Sequence, residues 1–191
     1  GEESEIYQAS RAYQEAFQQA RQSYQQGLPL PPYKEKGATI PCETEQIIYD
    51  GMGRKYLTIY RVFSTALNGT GPIIASNYPE NFGVNPSYPA ALQARNLGAK
   101  GEKLKILSMA KHLEPDRLLT HHADATLGPP VVWEGKAGEY YALGGNGRTI
   151  AILRAPQEKY DAYDQEGAKK WGGIWMDSPA PSGFRHILVR V

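Results

Sequence analysis

The chain has 191 residues, of which 41% are hydrophobic, and 21 basic side chains nearly balance 20 acidic ones for a net charge of +1. This size and balance fit one globular domain with a short appendage, and exclude a polycation that coats nucleic acid along its whole length. No apolar run approaches the ~18 residues of a membrane helix, and a single cysteine, Cys42, excludes a disulfide framework and a cysteine zinc site. The first residues show neither the basic nor the apolar region of a signal peptide, so the cytoplasm is the expected location.

Residues 1–45 are predicted to form an appendage, in which a helix is followed by a linker. Apolar side chains recur at three- and four-residue steps over residues 4–26, the period of one helix face. Residues 27–45 are rich in proline and are expected to be extended. The helix is expected to dock on the domain, and an arm that binds a protein partner is the alternative.

Residues 46–191 are predicted to form one α/β (or α+β) domain, because strand patterns alternate with helix patterns. Alternating apolar residues and short apolar runs between turn signals predict the strands. They cover residues 46–50, 55–63, 130–133, 139–143 and 186–191. Apolar residues at helical spacing predict three helices, with a loop-rich stretch before them. The helices cover residues 102–113, 149–155 and 156–176, and the loop-rich stretch is 64–99.

A glycine-rich turn between a strand and a helix carries the clearest chemistry. Its sequence is Gly144-Gly145-Asn146-Gly147-Arg148-Thr149. Glycines let a ligand approach the backbone closely, and the unpaired N–H groups and positive dipole end of the helix face that ligand. Arg148 adds a planar cation suited to phosphate. The pattern indicates an anion site, most naturally for a phosphate, or else a purely structural tight turn. Its glycine spacing is neither that of the P-loop nor that of the dinucleotide fingerprint.

The order of motifs around this turn resembles the ParB/sulfiredoxin superfamily. Val131-Val132-Trp133, then Glu139 to Gly145 and Arg148 before a helix, are similar to the strand, Gly-x-x-Arg-type turn and helix of that family's phosphate site. Upstream, Asn85-Pro86-Ser87-Tyr88-Pro89 and Leu92-Gln93-Ala94-Arg95-Asn96 resemble its first box. The likeness is greatest to the ParB-like domains of phage and plasmid proteins, of the polyvalent, DdrB-type or fertility-inhibition kind. It covers about residues 57–191.

The resemblance implies a mixed sheet with flanking helices and a site that binds ATP or CTP. The phosphate-binding residues that it implies are Gly144, Gly145, Asn146, Gly147, Arg148, Thr149, Gln93 and Arg95. Sulfiredoxins carry a cysteine where this chain has Asn146, and an amide cannot replace a thiolate nucleophile, so sulfur repair is not expected. The residues that follow the turn and its helix do not suit the helix-turn-helix of chromosome-partitioning ParB proteins, so centromere binding is not expected.

Slow Mg²⁺-dependent hydrolysis of a nucleoside triphosphate is the expected reaction. Arg148, Glu139 and Glu80 are the predicted catalytic residues, because a cation neutralises phosphate charge and a carboxylate orients water or binds Mg²⁺. The sequence does not choose between these carboxylates and Glu102, and each of them has a solvent-exposed alternative. No metal ligand is assigned.

Two further functions stay open at this point. One is a metal-dependent DNase, since related proteins include DNA-cleaving members and residues 91–118 carry an excess of basic side chains. Such a face is more often simply solvated. His121-His122-Ala123-Asp124 could hold the metal, although polar-loop histidines are the simpler interpretation. The other is a non-enzymatic module that blocks a conjugation or restriction component through its basic helix or N-terminal arm. For a bound base, Tyr78 or Tyr88 could provide stacking.

Overall fold

The computed structural model describes residues 45–50, 52–92, 97–135 and 138–191. The predicted N-terminal helix, almost all of the proline-rich linker, Gln93 and Arg95 lie outside the described residues. The strands of the described ranges are β1 (Gln46–Tyr49), β2 (Lys55–Thr58), β3 (Tyr60–Ala66), β4 (Ile73–Ile74), β5 (Val131–Glu134), β6 (Tyr140–Gly144) and β7 (Phe184–Arg190). The α-helices are α1 (Lys100–Lys111), α2 (Pro115–Leu119), α3 (Asn146–Arg154), α4 (Gln157–Trp171) and α5 (Gly173–Met176), and a short 3₁₀ helix covers Ala90–Leu92.

Five strands form a mixed sheet in the order β3-β7-β5-β6-β4. The pairs β3–β7 and β5–β6 are antiparallel, whereas β7–β5 and β6–β4 are parallel. Strands β1 and β2 form a separate antiparallel hairpin. Backbone hydrogen bonds between Tyr49 and the residues Ala123 and Ala125 tie this hairpin to the loop before β5. The predicted α+β class with a mixed sheet and flanking helices is confirmed for the described residues.

Helix α3 lies at the centre of the core. Its residues Thr149 to Leu153 are all buried, so the helix is covered on every side rather than along one stripe. Gly147 brings it close to α1, because a Cβ on this glycine would lie 3.3 Å from Cγ1 of Ile106. The first turn of α3 is therefore held directly against the middle of α1.

The structure differs from the predicted elements at several places, of which three follow from named residues. The predicted strand 55–63 is interrupted at Ile59, whose backbone exchanges hydrogen bonds with Val191 while β2 pairs with β1. The predicted helix 156–176 breaks at Gly172, which has a φ of 50°. The predicted helix 102–113 ends earlier, at Lys111, and Pro115 begins α2, because its fixed φ suits the first position of a helix.

None of the helices in the described ranges combines the length and the apolar surface that crossing a bilayer requires.

Candidate functional site

The glycine turn joins the end of β6 to the start of α3. Gly145 stands at the N-cap position in the left-handed conformation, with a φ of 88°. The guanidinium of Arg148 folds back over it, and a Cβ at this position would lie 2.6 Å from Nη2 of Arg148. Both the backbone angle and the close approach of the arginine require glycine here. The strand-turn-helix that the sequence predicts is confirmed.

The amino end of α3 keeps backbone donors available. The first intrahelical bond runs from the Thr149 amide to the Gly145 carbonyl at 2.9 Å, so the amides of residues 146–148 precede the ladder. No side chain of the described residues caps this end. The Thr149 hydroxyl is turned inward to the Gly145 carbonyl, at 3.0 Å. These N–H groups and the helix dipole make the turn an electropositive surface.

Asn146 connects the turn to two neighbouring segments. Its Oδ1 accepts a hydrogen bond from the Ser76 amide at 2.8 Å, and its Nδ2 donates to the Ala142 carbonyl at 3.1 Å and to the Tyr88 hydroxyl at 3.3 Å. The side chain is thus occupied by structural bonds, and its contribution to a ligand site comes from its backbone. Tyr88 is itself buried and donates to the Ala142 carbonyl, so its ring is a core element.

Arg148 faces the loop before β5 rather than open solvent. Its Nη1 donates to the Gly128 carbonyl at 2.5 Å and its Nη2 to the Ala125 carbonyl at 2.9 Å. Burial, followed by the nearby charge of Arg190, lowers the pKa of Arg148 to about 10, against a smaller opposite effect of Asp124. The side chain stays a cation at neutral pH, and its positive charge lies beside the turn.

Arg190, which was not among the predicted site residues, also donates hydrogen bonds to the loop before β5. Its side chain is fully buried. It donates to the carbonyls of His122 at 2.6 Å, Leu127 at 2.5 Å and Pro129 at 2.9 Å. Burial lowers its pKa as well. An arginine within the apolar run of the closing strand was the one sequence signal for such a buried cation.

Neither buried arginine forms an ion pair with a carboxylate of the described residues. The hydrogen bonds given for Arg148 and Arg190 go to main-chain carbonyls, and the charge of Asp124 favours both cations from a distance, so their charges are compensated incompletely. Both also donate to the same Ala125 carbonyl, at 2.9 Å and 3.4 Å. The two guanidiniums and the helix dipole therefore give this part of the molecule a positive field.

A cleft of about 480 Å³ opens above the turn. Five of the predicted phosphate-binding residues line it together: Gly144, Gly145, Asn146, Gly147 and Arg148. The opposite wall comes from α1, through Glu102, Lys105, Ile106 and Met109. Lys105 Nζ lies 3.6 Å from the Glu102 carboxylate, and three quarters of the lysine side chain is exposed. Lys105 is thus an exposed cation at this cleft.

The carboxylates at the cleft are not those of the predicted catalytic set. Arg154 donates to the carbonyls of Pro79 and Glu80, which places Glu80 at the far end of α3, roughly 12 Å along the helix from the turn. Glu139 precedes β6, at the opposite end of the strand from the turn, and accepts a hydrogen bond from the Tyr141 hydroxyl at 2.6 Å. The structure therefore does not bring Glu80 and Glu139 to the turn, whereas Glu102 lines the cleft.

The histidine segment, residues 121–124, belongs to the loop before β5. His121 Nδ1 accepts a hydrogen bond from the Tyr60 hydroxyl, and burial, followed by the charges of Arg190 and His122, lowers the pKa of His121 to about 4. His122 Nδ1 accepts a bond from the Asp124 amide at 3.2 Å. The described residues contain no group of three His, Cys, Asp or Glu side chains arranged to hold a metal.

In the described part of the basic segment 91–118, two of the basic side chains face carboxylates of the same segment. Lys105 faces Glu102, and the Arg117 guanidinium lies 2.8 Å from the Glu114 carboxylate. Lys103 lies over the ring of Phe82, 5.4 Å from its centre. The DNA-binding surface stays a prediction.

Comparisons with known proteins find no matching family model, no matching curated protein and no matching solved structure.

Proposed function

We propose that the protein binds the phosphate chain of a nucleotide in the cleft above the glycine turn. The observation that carries the proposal is the amino end of α3, which no side chain of the described residues caps, beside the guanidiniums of Arg148 and Arg190, whose described hydrogen-bond partners are carbonyls. An anion in the cleft would accept hydrogen bonds from the backbone amides of residues 146–148 and would offset the uncompensated positive charge. Lys105 adds a cation from the opposite wall.

The ParB-like resemblance supports the same proposal. The fold class and the turn between β6 and α3 are compatible with it. We infer a nucleotide-binding ParB-like protein, with ATP or CTP as the ligand. In this proposal Arg148 acts through charge and by positioning the loop, because its two terminal nitrogens already donate to carbonyls.

Hydrolysis of the bound triphosphate would depend on Mg²⁺, which phosphate oxygens and one or two carboxylates hold in many nucleotide sites. Glu102 fits this role because its carboxylate lines the cleft and is partly exposed. Asp50 also lines the cleft, but it already accepts hydrogen bonds from two amides, a guanidinium and a hydroxyl. When bound, Mg²⁺ would neutralise phosphate charge, and Lys105 and the helix amides would hold the chain in place.

The test is calorimetric titration with ATP, CTP and their diphosphates, in the presence and absence of Mg²⁺. The native protein is expected to bind a triphosphate with an affinity that falls as salt is raised, since the contacts are ionic. Lys105→Ala is expected to weaken binding about tenfold. Lys111→Ala is the matched control, because Lys111 is on the same helix, is exposed and does not line the cleft.

Absence of binding to every nucleotide by the native protein would end the proposal. Equal losses in the Lys105 and Lys111 variants would place the site elsewhere. Phosphate release and cleavage of supercoiled plasmid, each measured with Mg²⁺ and with EDTA, separate a nucleotidase from the DNase alternative.

A further inference from the structure

A second hollow adjoins the turn cleft on the side of the β1–β2 hairpin. It has a volume of about 460 Å³ and shares Asp50, Leu92, Ala125, Leu143 and Gly144 with the cleft. Leu143 stands on the rim between the two and is 42% exposed although it is apolar. The two cavities therefore adjoin at these shared residues, and a ligand bound at the turn has the second hollow next to it.

The walls of the second hollow differ in character from those of the cleft. They include the rings of Tyr56 and Trp133 and the aliphatic side chains of Val131, Ala91 and Val191. Trp133 is kept in place by stacking on Tyr141, with ring centres 5.8 Å apart. Such walls suit a flat aromatic group rather than another phosphate.

One cation stands at this hollow, and its position is fixed. Arg54 lines the hollow, and its Nε donates to the Asp50 carboxylate at 2.7 Å. The same carboxylate accepts a bond from the Tyr56 hydroxyl at 2.9 Å. Half of the Arg54 side chain is exposed, so its terminal nitrogens are accessible to the carbonyl and ring-nitrogen acceptors of a base. The hairpin thus presents an aromatic ring and a donor that are already oriented.

We propose that the second hollow binds the nucleobase of the nucleotide whose phosphates occupy the turn cleft. This inference rests on the proposed function and adds the subsite that selects a nucleotide over a simple polyphosphate. Asp50, Arg54 and Tyr56 precede the segment that resembles ParB-like domains, so the subsite is a property of this chain's own hairpin. Stacking on Tyr56 supplies the affinity, the buried Trp133 is part of the apolar wall, and Arg54 supplies a polar contact to the base edge.

The experiment compares ATP and CTP with inorganic tripolyphosphate by calorimetric titration of the full chain. The native protein is expected to bind at least one nucleotide ten or more times as tightly as tripolyphosphate. Ala91→Trp fills the hollow from an exposed position and is expected to reduce nucleotide affinity at least tenfold while leaving tripolyphosphate affinity unchanged. Ala90→Trp is the matched control, because Ala90 is its exposed neighbour and lines neither cavity.

A second pair of variants separates the ring from the hydroxyl. Tyr56→Phe keeps the stacking surface and is expected to retain most of the nucleotide affinity, whereas Tyr56→Leu is expected to lose it, with circular dichroism confirming that both fold. Equal affinity of the native protein for nucleotide and tripolyphosphate would overturn the base subsite and leave the phosphate site standing. Equal effects of Ala91→Trp and Ala90→Trp would overturn it as well. Binding of none of the three ligands would overturn the proposed function and this inference together.

Discussion

Among single residues, Arg148 is predicted to contact a ligand but forms structural hydrogen bonds in the folded chain. Its position directly after the glycines predicts a contact with a phosphate. In the folded chain its two terminal nitrogens bond the carbonyls of Gly128 and Ala125. Local sequence could not reveal these partners, because they lie twenty or more positions away along the chain.

Replacing Arg148 by alanine is expected to lower the free energy of unfolding by about 1–3 kcal/mol, since the Gly128 carbonyl would lose its donor and the Ala125 carbonyl would keep only the longer bond from Arg190. Nucleotide affinity should fall as well, because the loop beside the turn would loosen. Arg154→Ala is the control: Arg154 bonds two carbonyls at the other end of α3 and should change stability without changing nucleotide affinity. Urea unfolding and calorimetry check both variants, and unchanged stability of Arg148→Ala would contradict the scaffold role.

His121 gives the molecule an acid-sensitive contact. Burial holds its pKa near 4, below its ordinary value of 6.5, and the Tyr60 hydroxyl donates to its neutral ring. Between these two pH values the unfolded chain binds more protons than the folded one. Stability is therefore expected to be complete above pH 6.5 and to fall as the pH drops toward 4.

The measurement is urea unfolding at several pH values for the native chain and two variants. His121→Asn should flatten the decline between pH 6.5 and 4. His112→Asn should leave it unchanged, because His112 is exposed at the end of α1. A decline of the same slope in the His121 variant would assign the acid sensitivity to other groups.

At the scale of elements, the packing of α5 on α4 depends on one glycine. A Cβ on Gly167 would lie 2.3 Å from the ring of Trp175, which is buried and donates through Nε1 to Asp164 at 2.8 Å. The indole therefore lies directly against the α4 backbone. No larger residue fits without displacing it.

Gly167→Ala is accordingly expected to destabilise the fold by about 1–3 kcal/mol, despite the better helix propensity of alanine. Gly101→Ala serves as the matched control, because Gly101 is also helical but has nothing within 4 Å of the added Cβ. That variant should be neutral or stabilised by up to about 1 kcal/mol. Chemical denaturation distinguishes the two, and equal stabilisation in both would show that Trp175 moves aside without cost.

The sequence predicts elements well where periodicity is local. The main-sheet strands β3, β5, β6 and β7 and the helices α1, α3 and α4 follow from alternation and helical spacing. Two-residue β4 has too little pattern to be recognised, and the interruption at Ile59 depends on its distant partner Val191.

The candidate site, too, could be predicted only in part. The turn itself could be predicted because its glycines are adjacent in the chain. The opposite wall could not, since Lys105 and Glu102 reach the cleft only through the packing of α1 on α3, where Gly147 meets Ile106. The sequence indicates Glu80, Glu102 and Glu139 as candidate carboxylates, but nothing in it distinguishes Glu102 from the other two.

At the scale of the whole molecule, the turn cleft is formed by parts that are far apart in sequence. The hairpin, the α1 helix, the loop before β5 and the β6–α3 turn all contribute residues to its walls. A ligand that contacts all of them binds the folded chain and not the unfolded one. Binding should therefore stabilise the entire fold rather than one segment.

A nucleotide is expected to raise the melting temperature in proportion to the logarithm of its concentration. At 100 times the dissociation constant the gain is about 2.7 kcal/mol. For a domain of this size this corresponds to a shift of roughly 5–10 °C. Differential scanning calorimetry with increasing ATP or CTP measures it, with the free nucleoside as the control. A melting temperature that does not change with nucleotide concentration would contradict the proposed phosphate site.

The hydrogen bonds from Arg148 and Arg190 to the loop before β5 bear on how the cleft can be engineered. Among the described residues, both guanidiniums donate to main-chain oxygens of residues 122–129, and these bonds do not require a particular side chain at the accepting residue. Ala125 and Thr126 border the cleft from this loop. Ala125 is therefore a natural position for engineering ligand preference, whereas the Thr126 hydroxyl donates to the Asp124 carboxylate at 2.6 Å and helps to hold the loop.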